Sequence, residues 1–374
     1  MLRIALDATA LFGPRTGVGV FTEQVLTRLG ASHDVDVDAF AVTFRGRGQL
    51  AALLPPGVHA VGRPMAARPL RECWKRAGLP PIEWFVGRHD LVHGPNFVVP
   101  PSRTSARLVT IHDLTPWRYP ELANADTRAY PALVDRAVRS GAWVHTVSEF
   151  VADEVRERIA VPADRVVSVP NGLGPVADET AATGAARGRR LAGGDRYVLA
   201  VGTVEPRKDL PGLVAAFDAV AADDPEVRLV LAGPDGWGAD ALTAAISRAH
   251  HGSRIVRLGW VDDGDRLALL RGATVFAYPS RYEGFGLPPL EAMQVGTPVL
   301  TTTAGALPEV VGDAAELVPP DDGDALASAL ARLLSDVARR ADLVSLGHAR
   351  AARFSWDATT AGLVDLYRRV TAAA

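Results

Sequence analysis

The feature that most limits what this chain can become is an alternation of strand-like and helix-like stretches that breaks once and then restarts. In the first half the strand candidates are residues 2–9, 35–42, 90–94, 107–113, 143–148 and 166–171. Amphipathic stretches such as FTEQVLTRL and ADTRAYPALVDRAVRS lie between them. Residues 174–196 are rich in Gly, Ala and Arg, lack periodicity, and read as a linker. After them the pattern resumes with 197–203, 227–233, 255–260, 274–280 and 298–303. Such alternation predicts an α/β chain with parallel sheets. Two similar units predict two Rossmann-like domains facing each other across a cleft. The expected spans are 1–175, a linker at 176–196, and 197–355. The last amphipathic segment, about 356–374, is expected to pack back on the first domain. Ligands of such sheets dock outside the carboxyl ends of the strands, so the cleft is the expected site.

Composition narrows the function. A chain of 374 residues with 48% apolar and 22% charged residues can bury two cores. A formal charge of −3 gives no pull towards nucleic acid. The lone Cys73 excludes an internal disulfide and any Cys-rich zinc site. The opening LRIALDAT alternates like a strand rather than a signal peptide, and no apolar run reaches the length of a bilayer span. A cytoplasmic location follows as an expectation, with membrane contact only at the periphery. One stretch suits such contact: residues 63–88 hold six basic and two acidic residues, interleaved with Trp74, Trp84 and Phe85. The alternative is a solvated helix whose aromatics pack inward.

Four motifs carry chemistry. After the first strand, GPRTGVGVFTEQV sets Gly17 and Gly19 at a helix start, where amides can approach an anion. It lacks the third glycine of the dinucleotide fingerprint, which argues against a dehydrogenase. In TVEPRKDL, Arg207 and Lys208 lie between a strand end and a helix, where two cations suit a diphosphate. A solvated charge pair is the bland alternative.

The strongest motif is RYEGFGLPPLEAMQVGTPV (281–299). Pro288 and Pro289 begin a helix, so the amides of Phe285, Gly286 and Leu287 point at phosphate oxygens. Glu283 is expected to hold sugar hydroxyls and Glu291 a ribose diol, both reaching one ligand. In TIHDLTPWRYPEL, His112 and Asp113 end a first-domain strand; His112 is placed against a reacting sugar, and Asp113 is either an acceptor-side group or a turn cap. Ser148 reads as a helix cap, and Asn171–Gly172 as a turn. The Asp-x-Asp run at 34–38 falls on alternate positions of a strand and reads as a solvated face rather than a metal site.

Together with TVSEF, VPNGLG, LAGPDGW and LGWVDDGDRLALLRGA, these motifs resemble glycosyltransferase family 4, especially its bacterial mannosyl- and rhamnosyltransferase-like members. The likeness spans almost the whole chain and is densest over 197–312. It implies the GT-B fold, a nucleotide diphosphate-sugar donor, retention of anomeric configuration and no required metal or other cofactor. By resemblance, Lys208 is the diphosphate lysine, Glu291 the ribose glutamate, and Glu283 with Phe285–Leu287 the sugar and phosphate contacts. His112 is then the histidine near the transferred sugar, Gly17 the first-domain phosphate loop, and Val261 the backbone position beside the base. The sequence departs at Thr203, where many members carry arginine; Arg207 can supply that cation. GDP-mannose is the leading donor by resemblance, ahead of dTDP- or GDP-rhamnose and UDP-sugars. The acceptor class is a glycan, a glycolipid or a small molecule.

No carboxylate stands out as a nucleophile for double displacement, so a front-face displacement is expected. Two rival readings share the fold: a sugar-nucleotide epimerase, and a non-catalytic subunit of a polysaccharide-assembly complex.

Overall fold

The apolar runs become the buried strands of two separate parallel sheets. The computed structural model describes residues 1–13, 17–44, 46, 48–120, 127–176 and 180–374. Pro14–Thr16 of the first glycine motif, Glu121 and Leu122 of the histidine motif, and 177–179 of the expected linker lie outside the described residues. The chain divides into one unit of Met1–Gly172 with Ser355–Ala374, and a second of Leu173–Phe354.

In the first unit the strands are β1 (Leu2–Asp7), β2 (Val35–Phe40), β3 (His59–Ala60), β4 (Leu91–Gly94), β5 (Ala106–Ile111), β6 (Trp143–Thr146) and β7 (Val166–Ser168). They lie in the order β3-β2-β1-β4-β5-β6-β7, all parallel. The order reverses between β1 and β4, which makes their carboxyl ends the switch point. In the second unit β8 (Tyr197–Val201), β9 (Arg228–Ala232), β10 (Ile255–Gly259), β11 (Val275–Tyr278), β12 (Val299–Thr302) and β13 (Glu316–Val318) lie in the order β10-β9-β8-β11-β12-β13, again parallel. Here the switch point falls between β8 and β11. Central strands bury both faces: Ile4, Ala5 and Leu6, like Val198, Leu199 and Phe276, have no exposure. That burial is why these segments read as unbroken apolar runs.

The segment expected to be a linker is mostly helical. Residues Ala181–Ala192 form a helix capped by Thr180, whose hydroxyl accepts the Thr183 N–H at 3.2 Å, and ended by Gly193 at φ +70°. Its glycines are not breakers. A Cβ at Gly188 would stand 2.0 Å from the Ala268 carbonyl oxygen, and one at Gly272 would stand 2.8 Å from that of Ala185. Small residues let this helix lie directly against the helix Asp263–Gly272. Close packing replaces the amphipathic period that would have signalled a helix. At Asn171–Gly172 the glycine serves the chain's return, because a Cβ on Gly172 would meet the Trp356 backbone nitrogen at 2.1 Å.

The final helix, Trp356–Ala372, belongs to the first unit and buries Trp356, Leu363 and Tyr367. A buried polar chain ties it to the sheet. Tyr367 Oη lies 2.8 Å from His93 Nδ1, His93 Nε2 lies 2.8 Å from Thr110 Oγ1, Thr110 Oγ1 lies 2.9 Å from His145 Nδ1, and His145 Nε2 lies 3.0 Å from the Val169 carbonyl. With both imidazoles kept neutral by burial, the direction is forced. The carbonyl only accepts, so His145 Nε2 donates and its Nδ1 accepts from the Thr110 hydroxyl. Thr110 then accepts from His93 Nε2, and His93 Nδ1 accepts from Tyr367. The same burial holds His145 down at about 4 and His93 well below the usual histidine range.

Candidate active site

Two loops leave the switch point of the second sheet. The first follows β8 through Gly202, whose φ of +146° suits glycine, and forms a short 3-10 turn over Pro206–Lys208. Asp209 then turns left-handed at φ +47°, and its carboxylate accepts the Gly212 N–H at 3.3 Å to start the helix Leu210–Val220. The second loop follows β11 and carries Glu283.

The loops meet through charge. Lys208 Nζ donates to Glu283 Oε1 at 2.5 Å and to the Tyr278 hydroxyl. Arg207 Nη1 donates to the same Oε1 at 2.7 Å and to the Tyr282 carbonyl at 3.3 Å, while its Nε donates to Glu205 Oε2 at 2.8 Å. Lys208, Tyr278 and Glu283 are all buried. Burial pulls Lys208 down to about 8, against the opposing pull of Glu283. Burial also acts to raise Glu283, but Arg207 and Lys208 outweigh it and hold the carboxyl at about 2. Burial, then Glu283, pushes the Tyr278 phenol well above its ordinary value. Tyr278 was not among the sequence candidates; within an apolar strand it reads as one more core aromatic.

The glycine-rich turn behaves as a helix entry. Gly286, at φ +115°, precedes the helix Leu287–Gln294, and the prolines fall in its first turn. The first-turn amides of a helix have no intrahelical acceptor, and the prolines bring none of their own. This leaves Phe285, Gly286 and Leu287 as the nearby amides for an anion. The Phe285 ring is buried edge-on to Phe354 at 5.8 Å, so the residue offers its backbone.

Glu283 and Glu291 do not share a partner. Arg266 Nη1 donates to Glu291 Oε2, and burial raises the Glu291 carboxyl while Arg266 opposes that rise. Arg266 was also missed, since nothing around it in DDGDRLALL marks one arginine as facing Glu291. Glu283 is likewise no loop carboxylate in water: it is the shared acceptor of the two cations assigned to a diphosphate.

A cavity of about 340 Å³ opens at the carboxyl ends of β8, β9, β10 and β11, lined in part by Gly202, Lys208, Gly233, Asp235, Arg257 and Tyr278. Of the residues read as donor-binding, only Lys208 lines it. Val261 is half-buried just beyond β10, before the helix capped by Asp262.

In the first unit, Gly17 and Gly19 open the helix Gly17–Gly30; Gly17 is exposed, whereas Gly19 is buried. His112 follows β5 with its Nε2 at 2.8 Å from the Pro95 carbonyl and its ring edge-on to Phe21 at 5.3 Å. Donation to that carbonyl leaves Nδ1 with the lone pair, and burial lowers the ring's pKa. His112 is therefore a neutral acceptor. Asp113 acts as a turn cap: its Oδ1 accepts the Thr115 N–H at 2.8 Å. Ser148 caps the helix Glu149–Arg158 through the Val151 N–H.

Of the aspartates of 34–38, Asp34 and Asp36 stay largely exposed, as a solvated face requires, and only Asp38 is mostly covered. Asp38 meets His89 at 2.8 Å, Asp36 lies 3.7 Å from Arg3, and Asp34 lies 3.3 Å from Arg368. In the basic stretch, Trp74 is buried with its Nε1 donating to the Pro80 carbonyl, Phe85 packs on the core, and Trp84 stands 62% exposed. Among the described residues, no helix is long and apolar enough to cross a membrane.

Comparison with known proteins identifies the family of the chain. Residues 15–175 match the family Glycosyltransferase Family 4, and residues 186–349 match Glycosyl transferases group 1. The O-antigen chain mannosyltransferase B of Escherichia coli is 29% identical over 376 residues, covering 95% of this chain and 96% of its own. The D-inositol 3-phosphate glycosyltransferase of Salinispora arenicola is 30% identical, with 96% and 89% covered. Among solved structures, sucrose-phosphate synthase from Thermosynechococcus elongatus superposes with a TM-score of 0.76 at 22% identity, covering 100% of both chains.

Proposed function

The chain belongs to glycosyltransferase family 4, with two Rossmann-like units of the GT-B kind, and from that premise we propose that it transfers a hexose with retention, without a divalent metal. The donor is a nucleoside diphosphate-sugar, with GDP-mannose first among the candidates because a mannosyltransferase matches nearly the whole chain. The acceptor is a hydroxyl of a glycan, a glycolipid or a small molecule.

The observation that carries this reading is the buried meeting of Arg207 and Lys208 on Glu283, beside the helix entry at Phe285–Leu287. Two cations and a set of amides supply the charge that a departing diphosphate needs. Because Glu283 is bound by both cations, it is a poor nucleophile. A front-face course fits better: the bond from the anomeric carbon to the phosphate oxygen breaks, the acceptor oxygen bonds to that carbon from the same face, and the leaving phosphate takes the acceptor's proton. Neutral His112 offers an acceptor atom for a sugar hydroxyl.

The test is to assay sugar transfer with EDTA present and to read the anomeric centre of the first product by NMR, using carbon–proton coupling for manno-configured sugars. Activity should survive EDTA and the configuration should be kept. An inverted product, or activity lost in EDTA and restored by manganese, overturns the reading.

A further inference from the structure

Lys208 and Arg207 lie on a 3-10 turn that ends in disfavoured backbone at Asp209. Among the described residues, three that are not glycine have a positive φ: Phe97, Asp209 and Asp321. Left-handed backbone is disfavoured for side chains other than glycine, although aspartate tolerates it better than most. Two of the three, Asp209 at φ +47° and Asp321 at φ +63°, are held by one guanidinium. Arg281 Nη2 donates to Asp209 Oδ1 at 2.9 Å, and its Nε donates to Asp321 Oδ1 at 2.5 Å.

The same residue also fixes the turn by its main chain. The Arg281 N–H donates to the Arg207 carbonyl at 2.7 Å. Arg281 thus joins three loops: 205–209 with the two cations, 279–283 with Glu283, and the loop after β13 with Asp321. Asp209 already caps its helix through Gly212, so its carboxylate serves both the cap and Arg281.

We propose that Arg281 is a positioning residue for the diphosphate site, acting through Asp209 to hold the left-handed turn that directs Lys208 inward. It does not touch the ligand. This inference rests on the diphosphate role given to Lys208 above. A single solvent-exposed ion pair contributes little, and Arg281 is 42% exposed. The effect comes instead from one guanidinium bridging two carboxylates on disfavoured backbone.

The experiment is a double-substitution cycle on GDP affinity by calorimetry, with UDP in parallel. The variants are Arg281→Ala, Asp209→Asn and the two combined; Asp209→Asn keeps the cap and tolerates the left-handed turn. Each single change should weaken GDP or UDP binding about tenfold, as expected for the loss of one or two networked pairs. The combined variant should be no weaker than either single one. Arg281→Lys should recover part of the loss. Melting temperature, followed alongside, should stay close to that of the native protein, and Arg281→Gln replaces Arg281→Ala if the latter does not fold.

Losses that multiply in the combined variant would overturn the inference, because Arg281 would then act independently of Asp209. So would unchanged affinity in Arg281→Ala while Lys208→Ala weakens binding. Unchanged affinity in Lys208→Ala itself would remove the diphosphate reading, and this inference with it.

Discussion

One buried polar cluster in each unit shows two different ways of holding polar side chains away from water. In the first, Tyr367, His93, Thr110 and His145 form a chain of neutral groups in which each hydrogen is matched to an acceptor. In the second, Lys208 and Glu283 are buried as an ion pair beside the Tyr278 hydroxyl, and the half-buried Arg207 links Glu283 to Glu205. The neutral chain is complete without any partner and docks the final helix on its sheet. The charged cluster bears a desolvation cost that mutual pairing only partly offsets, which makes sense where a charged ligand is to be met. One polar interior specifies structure and the other is poised for chemistry.

The sharpest way to break that contrast is to unpair the charges. Lys208→Ala should lower turnover by about 10²- to 10³-fold, the usual cost of losing one preorganised group at a developing charge. It should also weaken nucleoside diphosphate binding by roughly 1.5–3 kcal/mol, one charge-assisted bond. Glu283→Gln should separate the two readouts. It removes the anion competing for Arg207 and Lys208, so diphosphate affinity should rise while turnover falls. Calorimetry and steady-state kinetics on both variants decide the matter. If Glu283→Gln loses affinity as Lys208→Ala does, the cations were not waiting for phosphate.

The neutral chain should fail through pH. His145 has an ordinary value near 6.5 when unfolded and about 4 when folded. Its stabilising share is therefore complete above 6.5 and is lost as pH falls from there to about 4. A shift of that size corresponds to about 3 kcal/mol across the window. Urea unfolding of the whole chain between pH 7.5 and 5 should show the decline. Tyr367→Phe should lower the starting stability by about 1–3 kcal/mol, because His93 Nδ1 loses its donor. A flat stability profile over this range would mean that the imidazoles accept protons in the folded state, and the neutral chain would be refuted.

How far the sequence foretold this contrast depends on the range of each interaction. The paired motifs around Arg207, Lys208, Glu283 and Phe285–Leu287 were legible because each is local: a strand end, a turn and a helix start within a few residues. The strands were legible because burial on both faces leaves apolar runs. β3, of two residues, is too short to carry such a pattern. The helix Ala181–Ala192 was read as a linker because its glycines look like breakers until the opposing helix is seen. Arg266, Tyr278 and Arg281 were illegible for a related reason: their meaning lies in partners 25 to 72 residues away. The spacing of Glu283 and Glu291 does not reveal their protein partners: Arg207 and Lys208 for the first, Arg266 for the second.

The smallest expected effect is also the most selective for the charged cluster. Lys208 is held down at about 8, because burial penalises its ammonium more than Glu283 favours it. As pH rises through that value the free protein loses the charge that meets the leaving phosphate. The pH dependence of kcat/KM reports the free enzyme, so it should fall on the alkaline side with a midpoint near 8. At one pH unit above the midpoint about nine-tenths of Lys208 is neutral, so the expected loss is about tenfold. Lys208→Arg keeps a cation that does not titrate in this range. Its kcat/KM should be lower throughout, since a planar guanidinium cannot reproduce the contacts to Tyr278 and Glu283, but its alkaline limb should be gone. A limb that persists unchanged in Lys208→Arg would assign the titration to another group, and would leave the charge of Lys208 without a demonstrated part in the reaction.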